Sequence, residues 1–261
     1  MIHKTAIVDS KAEISSNVVI GPYCIIGPDV KIDDDVIIES HVNITGNTII
    51  GKKNIFYPMS SIGSEPQDIK YKGEKTSLSI GENNTIREHV TINTGTTQGD
   101  GITKVGSNNL IMIGAHIAHD CSVGNNIVMA NNSAIAGHAI IDDFVIIGAK
   151  CGIQQFVRIG KMAMIGGMTG VSRDVIPYGL SIGNRNFLNG INIVGLRRSN
   201  IKNKDIIDLS EAYKEIFKTE SLNDNLNNLN GKYKGNTLVK EVLEFINKDK
   251  KRPICTPYNK Q

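Results

Sequence analysis

Tryptophan is missing from the 261-residue chain, and aromatic residues make up only 5% of it. Its core must therefore be aliphatic, and Ile is the dominant candidate. Cysteine is sparse: Cys24, Cys121, Cys151 and Cys255 form no C-x-x-C pair and no disulfide-scaffold density. That usage suits a reducing compartment, and a cytoplasmic protein is the simplest expectation. No apolar run approaches a membrane span, and Met1 to Thr5 does not open a signal peptide. A formal charge of +3 is too slight to argue for a nucleic-acid partner.

What the chain does have is a period. Stepping by six from Ile2 lands on Val8, Ile14, Ile20, Ile26, Ile32, Ile38, Ile44, Ile50, Phe56 and Ile62. The register resumes at Ile80, Ile86 and Ile92 and, after a one-residue shift, runs from Val105 to Val171, with only Met129 departing from Ile or Val. Glycine often follows the aliphatic residue, as at Gly21, Gly27, Gly51, Gly106, Gly124 and Gly148, and small residues such as Cys24, Cys121 and Cys151 come four after it. Each hexad thus reads as a short strand and a glycine-assisted bend, with the cysteines as small core residues. Three hexads would close a triangular coil of eighteen residues with the aliphatic side chains stacked inside. Hexapeptide repeats of this kind resemble the left-handed parallel β-helices, and that is the expected fold.

Two stretches break the period, about 63–79 and 94–104, and read as loops projecting from a rigid coil, where binding groups are often carried. The β-helix is expected over 1–183, followed by a C-terminal helical domain over 184–261. Helical spacing is read in Phe187, Leu188, Ile191, Val194 and Leu196, in Ile206 to Phe217, and in Leu238 to Ile246, whereas Ser221 to Asn225 reads as a polar loop.

Three of the six histidines, His116, His119 and His138, fall close together. Residues eighteen apart should stack about 4.8 Å apart, so His119 lies above Gly137, then Gln155, then Arg173. Neutral imidazole can act as a general base, with Asp120 to fix its tautomer. A glycine at 137 lets a backbone N–H approach a developing oxyanion. Two other readings stay open. The histidines could simply solvate a surface, or could bind zinc as in the repeat-built carbonic anhydrases, although His-x-x-His is not their wider spacing. No metal is expected, and the His119 side chain is expected to face a cleft.

The runs His116-Ile-Ala-His-Asp-Cys121, Ala130 to His138, Gln155-Phe156, Pro66 to Tyr71, Ile86 to Thr96, Gly99-Asp-Gly101 and Asn192 to Arg198 are similar to those of the UDP-N-acetylglucosamine O-acyltransferases of lipid A synthesis. The resemblance covers nearly the whole chain. It implies a homotrimer in which acyl carrier protein, bearing phosphopantetheine, delivers an R-3-hydroxyacyl thioester to the 3-hydroxyl of UDP-N-acetylglucosamine, with no further cofactor. It implies His119 as base, Asp120 as its orienting group and Gly137 as an oxyanion donor. Asp68, His116, His138 and Gln155 would position the sugar, Asn192 and Arg198 would hold the nucleotide, and Gly167 would end the acyl groove. Gln154 stands where His is expected and Val194 where Glu is expected. A sister family that N-acylates a sugar carries a domain ahead of the repeat, for which a repeat starting at Ile2 leaves no room. A CoA-dependent acetyltransferase and a non-enzymatic scaffold are the alternatives.

Overall fold

The computed structural model describes residues 1–219, 221–229, 231–233, 235–249 and 252–258. The repeat winds into a left-handed parallel β-helix with three sheets. The first sheet holds nine strands, from Ile7–Val8 to Gly170–Val171, and the second holds eight, from Glu13–Ile14 to Arg158–Ile159. The third begins at Val19–Ile20 and holds ten. Most strands are two residues long, one pointing out and one in, and partners such as Ile117 and Ile135 are one coil apart. The inward residues form the aliphatic stack the period anticipates: Ile26, Ile44, Ile86, Ile117 and Ile147 are at most 1% exposed. Each such side chain stabilises the coil by about 1.5–3 kcal/mol.

Where the second sheet turns into the third, polar side chains replace part of this stack. Asn54 accepts from the Asn84 N–H at 2.9 Å, Asn84 from the Asn109 N–H at 2.9 Å, and Asn109 from the Ile127 N–H at 2.7 Å. This ladder occupies backbone donors that a corner would otherwise bury without partners.

The corners themselves correct the expectation about glycine. The left-handed position is held by non-glycine residues at six-residue intervals, including Asp120 (φ 58°), His138 (φ 61°) and Phe156 (φ 64°). Coil-to-coil hydrogen bonds such as His138 N–H to His119 O, 3.0 Å, hold them there. The glycines that follow the aliphatic residues serve close approach instead. A Cβ on Gly106 would stand 2.5 Å from the Gly124 carbonyl oxygen.

Both insertions leave the coil at the same edge, between the first and second sheets. The first lies between strands Ser61–Ser64 and Ser77–Ile80, and the second between Thr91–Asn93 and Ile102–Val105, so each is shorter than its interruption of the period. They emerge on successive coils, just ahead of the coil bearing His119. The second insertion adds seven residues to a coil, which is why Thr91 pairs with His116 rather than with residue 109.

The C-terminal reading needs two corrections. Phe187–Ile191 is a strand, antiparallel to Gly179–Ile182, so the third sheet runs past residue 184 and the first helix is Ile193–Arg198. Its apolar spacing fits either element, and the turn glycine Gly183, at φ 99°, selects the hairpin. Leu222–Asn228, which begins inside the expected loop and runs past it, is a helix capped by Ser221. Asn225 explains the miss: a polar residue that is buried because its amide donates to Ile216 and Thr219 carbonyls, both at 3.0 Å. The helices Asn203–Ile216 and Thr237–Lys248 lie where their periods put them. Arg158 clamps the last of these to the coil, pairing with buried Asp174 at 2.7 Å and donating to the carbonyls of Phe245 and Asp249.

Candidate active site

The ladder read from the eighteen-residue interval is present at the edge between the first and second sheets. The imidazole of His119 lies flat over Gly137, so close that a Cβ there would stand 2.5 Å from Cε1 and 2.6 Å from Nε2. Among the described residues the Gly137 N–H has no hydrogen-bond partner, so a donor stands open beneath the ring. Gln155 follows one coil on, exposed; the next coil is two residues short at this edge, Ile159 bridging Val175, so the eighteen-residue interval ends before Arg173.

Asp120 sits at the corner and makes the orienting contact, with His119 Nδ1 at 2.9 Å from its Oδ2. The rest of this carboxylate is filled by the second insertion. The Thr96 N–H donates to Oδ1 at 2.9 Å, and the Thr96 hydroxyl donates to Oδ2 at 2.6 Å. The Asp120 N–H in turn donates to the Thr103 hydroxyl at 2.8 Å. A carboxylate that receives these donors is an acceptor, so His119 Nδ1 carries a proton and, in the neutral ring, Nε2 keeps its lone pair. Thr96 escaped the sequence reading because the insertion has no period. Gly99 explains its own motif: a Cβ there would meet the Asp120 carboxyl at 2.5 Å and His138 Cε1 at 2.9 Å.

The second insertion therefore packs on Asp120 and His138, beside the base. His119 is 4% exposed in the single chain, so little of its ring is open to solvent there. His138 stands edge-on to His119, 5.1 Å between ring centres, and stacks on Phe156 at 4.4 Å. Burial lowers the pKa of His138, opposed by the charge of Asp120. His116 bonds Thr91 Oγ1 through Nδ1 at 2.7 Å, and burial lowers it too. Asp68, half-buried on the first insertion, adds its charge to the field at His138. By count, His119, Asp120 and His138 offer ligand atoms within 4.8 Å of one another, enough to hold a metal ion. Two of those donors, the Asp120 carboxylate and His119 Nδ1, are already committed to the hydrogen-bond network.

The remaining residues lie elsewhere on the prism. Gly167 is exposed at the edge between the third and first sheets. Asn192 is 8% exposed, and both ends of its amide are used: Oδ1 accepts from the Gly195 N–H at 3.0 Å, and Nδ2 donates to the Met162 carbonyl at 3.0 Å. It caps the helix Ile193–Arg198 and docks it on the edge between the second and third sheets, leaving Arg198 exposed in the last turn. Gln154, the departure from His, lines a cleft with Arg173, Arg185 and Tyr258, and Val194 is 61% exposed. The cysteines are inert core residues, and burial pushes the Cys121 thiol up to about 12.

A family model described as Udp N-acetylglucosamine O-acyltransferase, domain 2, matches residues 174–255, and the bacterial transferase hexapeptide model matches residues 11–46. The acyl-carrier-protein-dependent UDP-N-acetylglucosamine O-acyltransferase of Rhizobium rhizogenes is 46% identical over 98% of this chain and 95% of its own. The corresponding enzyme of Rhizobium johnstonii is 42% identical over 98% and 94%. LpxA from Acinetobacter baumannii superposes with a TM-score of 0.94 at 42% identity, covering 97% of this chain and 99% of that one. The UDP-N-acetylglucosamine acyltransferase of Arabidopsis gives 0.87 at 32% identity, over 98% and 100%.

Proposed function

The chain belongs to the UDP-N-acetylglucosamine O-acyltransferase family, and from that premise we propose how its first edge performs the transfer. The enzyme moves an R-3-hydroxyacyl chain from acyl carrier protein to the 3-hydroxyl of UDP-N-acetylglucosamine, the first step of lipid A synthesis. One observation carries the mechanism: His119 Nδ1 is bonded to a carboxylate, and its ring lies over Gly137, whose N–H is without a partner among the described residues. Nε2 takes the proton of the sugar hydroxyl as its oxygen bonds to the thioester carbon. The carbonyl oxygen becomes an oxyanion facing the Gly137 N–H. The C–S bond then breaks, and the proton on Nε2 passes to the departing phosphopantetheine thiolate. A positioned base contributes roughly 10²–10⁴-fold and one oxyanion donor about 10²–10³-fold. No step is routed through a metal. Asp68, His116, His138 and Gln155 position the sugar, and Asn192 acts indirectly by seating the helix that presents Arg198 to the nucleotide.

These groups occupy different edges of one prism, so a complete site needs a second copy. A contact joining unlike edges is heterologous and gives a ring when its rotation closes, and a homotrimer is the ring we propose. The outward residues of the third sheet support it, being mainly apolar: Val19, Ile37, Ile55, Leu110, Val128, Ile146 and Met164. The acyl chain is placed across the first sheet, which lies between the edge of His119 and the edge of Gly167. Its outward residues shrink along the axis from His116 through Ala134 to Gly152 and Gly170. That bare face ends where the Asn184 carbonyl overhangs Gly170, 2.6 Å from where a Cβ would be.

We place this work in the cytoplasm, on a carrier-bound substrate; no helix among the described residues is long and apolar enough to cross a membrane. Mass spectrometry of the product made from mixed carrier-bound 3-hydroxyacyl chains and UDP-N-acetylglucosamine tests the reading. A single acyl ester on the sugar is expected. Transfer of acetyl from acetyl-CoA, with no long-chain product, would replace it by the acetyltransferase alternative.

A further inference from the structure

The second insertion does more than pack beside the base. Its Thr96 reaches the Asp120 carboxylate twice, by N–H at 2.9 Å and by hydroxyl at 2.6 Å, the shorter contact falling on the same Oδ2 that holds His119 Nδ1. The loop is braced for this task. Gly95 N–H donates to the Ser77 carbonyl at 3.1 Å, Ser77 N–H donates to the Gly101 carbonyl at 2.9 Å, and both Gly99 and Gly101 N–H donate to the Thr96 carbonyl at 3.1 Å. Gly99 fits only as glycine because the loop presses on Asp120. The Asp120 side chain is 2% exposed, so water does not substitute for these donors.

We propose that the Thr96 hydroxyl is a positioning residue for catalysis: by donating to Asp120 Oδ2 it keeps that group an acceptor and fixes His119 with its proton on Nδ1 and Nε2 free. This rests on the general-base reading of His119. Charge-assisted bonds of this type are about twice as strong as neutral ones, and losing one at a buried carboxylate is expected to lower kcat roughly ten- to hundredfold. The charged and titratable groups around the dyad are His138, 3.8 Å from Asp120 Oδ2, with His116, Asp68 and Asp100 acting from further out. None of these belongs to Thr96, so a shift on its substitution reports the hydroxyl itself.

The test compares Thr96→Val, Thr96→Ser and His119→Ala in the full-length enzyme. Thr96→Val removes one donor from a carboxylate facing imidazole, which favours protonation of the dyad. The acidic limb of kcat/KM should therefore move to higher pH. kcat should fall with KM for the nucleotide sugar within about twofold, and Thr96→Ser should restore both. Nitrogen-15 spectra of the imidazoles should show the His119 proton no longer confined to Nδ1 in Thr96→Val. An unchanged limb and tautomer in folded Thr96→Val overturns the proposal, as does a Ser variant as impaired as Val. Should His119→Ala remain active, the base reading itself fails. An inactive His119→Ala beside a normal Thr96→Val removes only the role of Thr96.

Discussion

Adding one methyl group at Gly137 tests the ladder most directly. In Gly137→Ala the new carbon would stand 2.5 Å from His119 Cε1 and 2.6 Å from Nε2. Non-bonded carbon contacts settle near 3.5–4.0 Å, so the ring must retreat by about 1 Å or the corner must shift. Retreat strains the 2.9 Å bond to Asp120, whose carboxylate is anchored by Thr96. A displacement of that size at a reacting group can lower turnover about 10²-fold, and tilting the Gly137 N–H away from the oxyanion would add to the loss. Overpacking of this kind costs about 1–3 kcal/mol, which for a chain of this size lowers Tm by roughly 2–10 °C. Gly152→Ala is the control for stability, because nothing lies within 4 Å of the added carbon. Steady-state turnover with carrier-bound 3-hydroxyacyl substrate, read beside the melting curve, decides the matter. A Gly137→Ala enzyme within threefold of normal turnover would refute the stacked geometry.

His119→Ala should lower kcat by roughly 10²–10⁴ while leaving the melting profile cooperative; a folded variant near normal turnover removes the assigned base. Gly167→Met should shift preference to shorter chains, since the about 2.7 coils from His119 span roughly 13 Å along the axis and the diagonal across the first sheet is longer. Competition between carrier-bound chains checks it, and an unchanged length profile rejects the ruler. Burial lowers both His116 and His138 below the ordinary imidazole value of 6.5. As pH falls through that value the unfolded chain takes up protons first, so stability present near pH 8 is lost progressively below it. Melting curves from pH 8 to 5 should show Tm declining in the acid half, and a Tm that rises there contradicts the burial argument.

The coil was legible because its signal repeats: an aliphatic residue at every sixth position is hard to read another way, and the interval then placed Gly137 beneath His119 without coordinates. Non-periodic parts were not legible in the same way. Thr96 lies in an insertion whose path depends on packing against Ser77 and Asp120, contacts 18 or more residues away. Nor could one chain's sequence say that Asn192 is spent on a helix cap and a Met162 carbonyl rather than left to a ligand. Phe187–Ile191 failed for a different reason, because apolar residues at 187, 188 and 191 satisfy a helix as well as an edge strand.

Length changes in this chain are quantised by its winding. Removing one hexad between the two insertions, after Ile80 and before Thr91, would rotate everything before the cut by a third of a turn relative to everything after it. His119 would still sit over Gly137, but the first insertion would emerge at another edge. Removing eighteen residues would shorten the prism and leave every edge matched. The two insertions escape this arithmetic, because each leaves and re-enters at one edge and can change length without advancing the coil. Relatives should therefore differ in overall length by whole coils, and by single residues only within these loops. Substrate recognition could then drift in small steps while the prism that holds the histidine ladder changes, if at all, one full turn at a time.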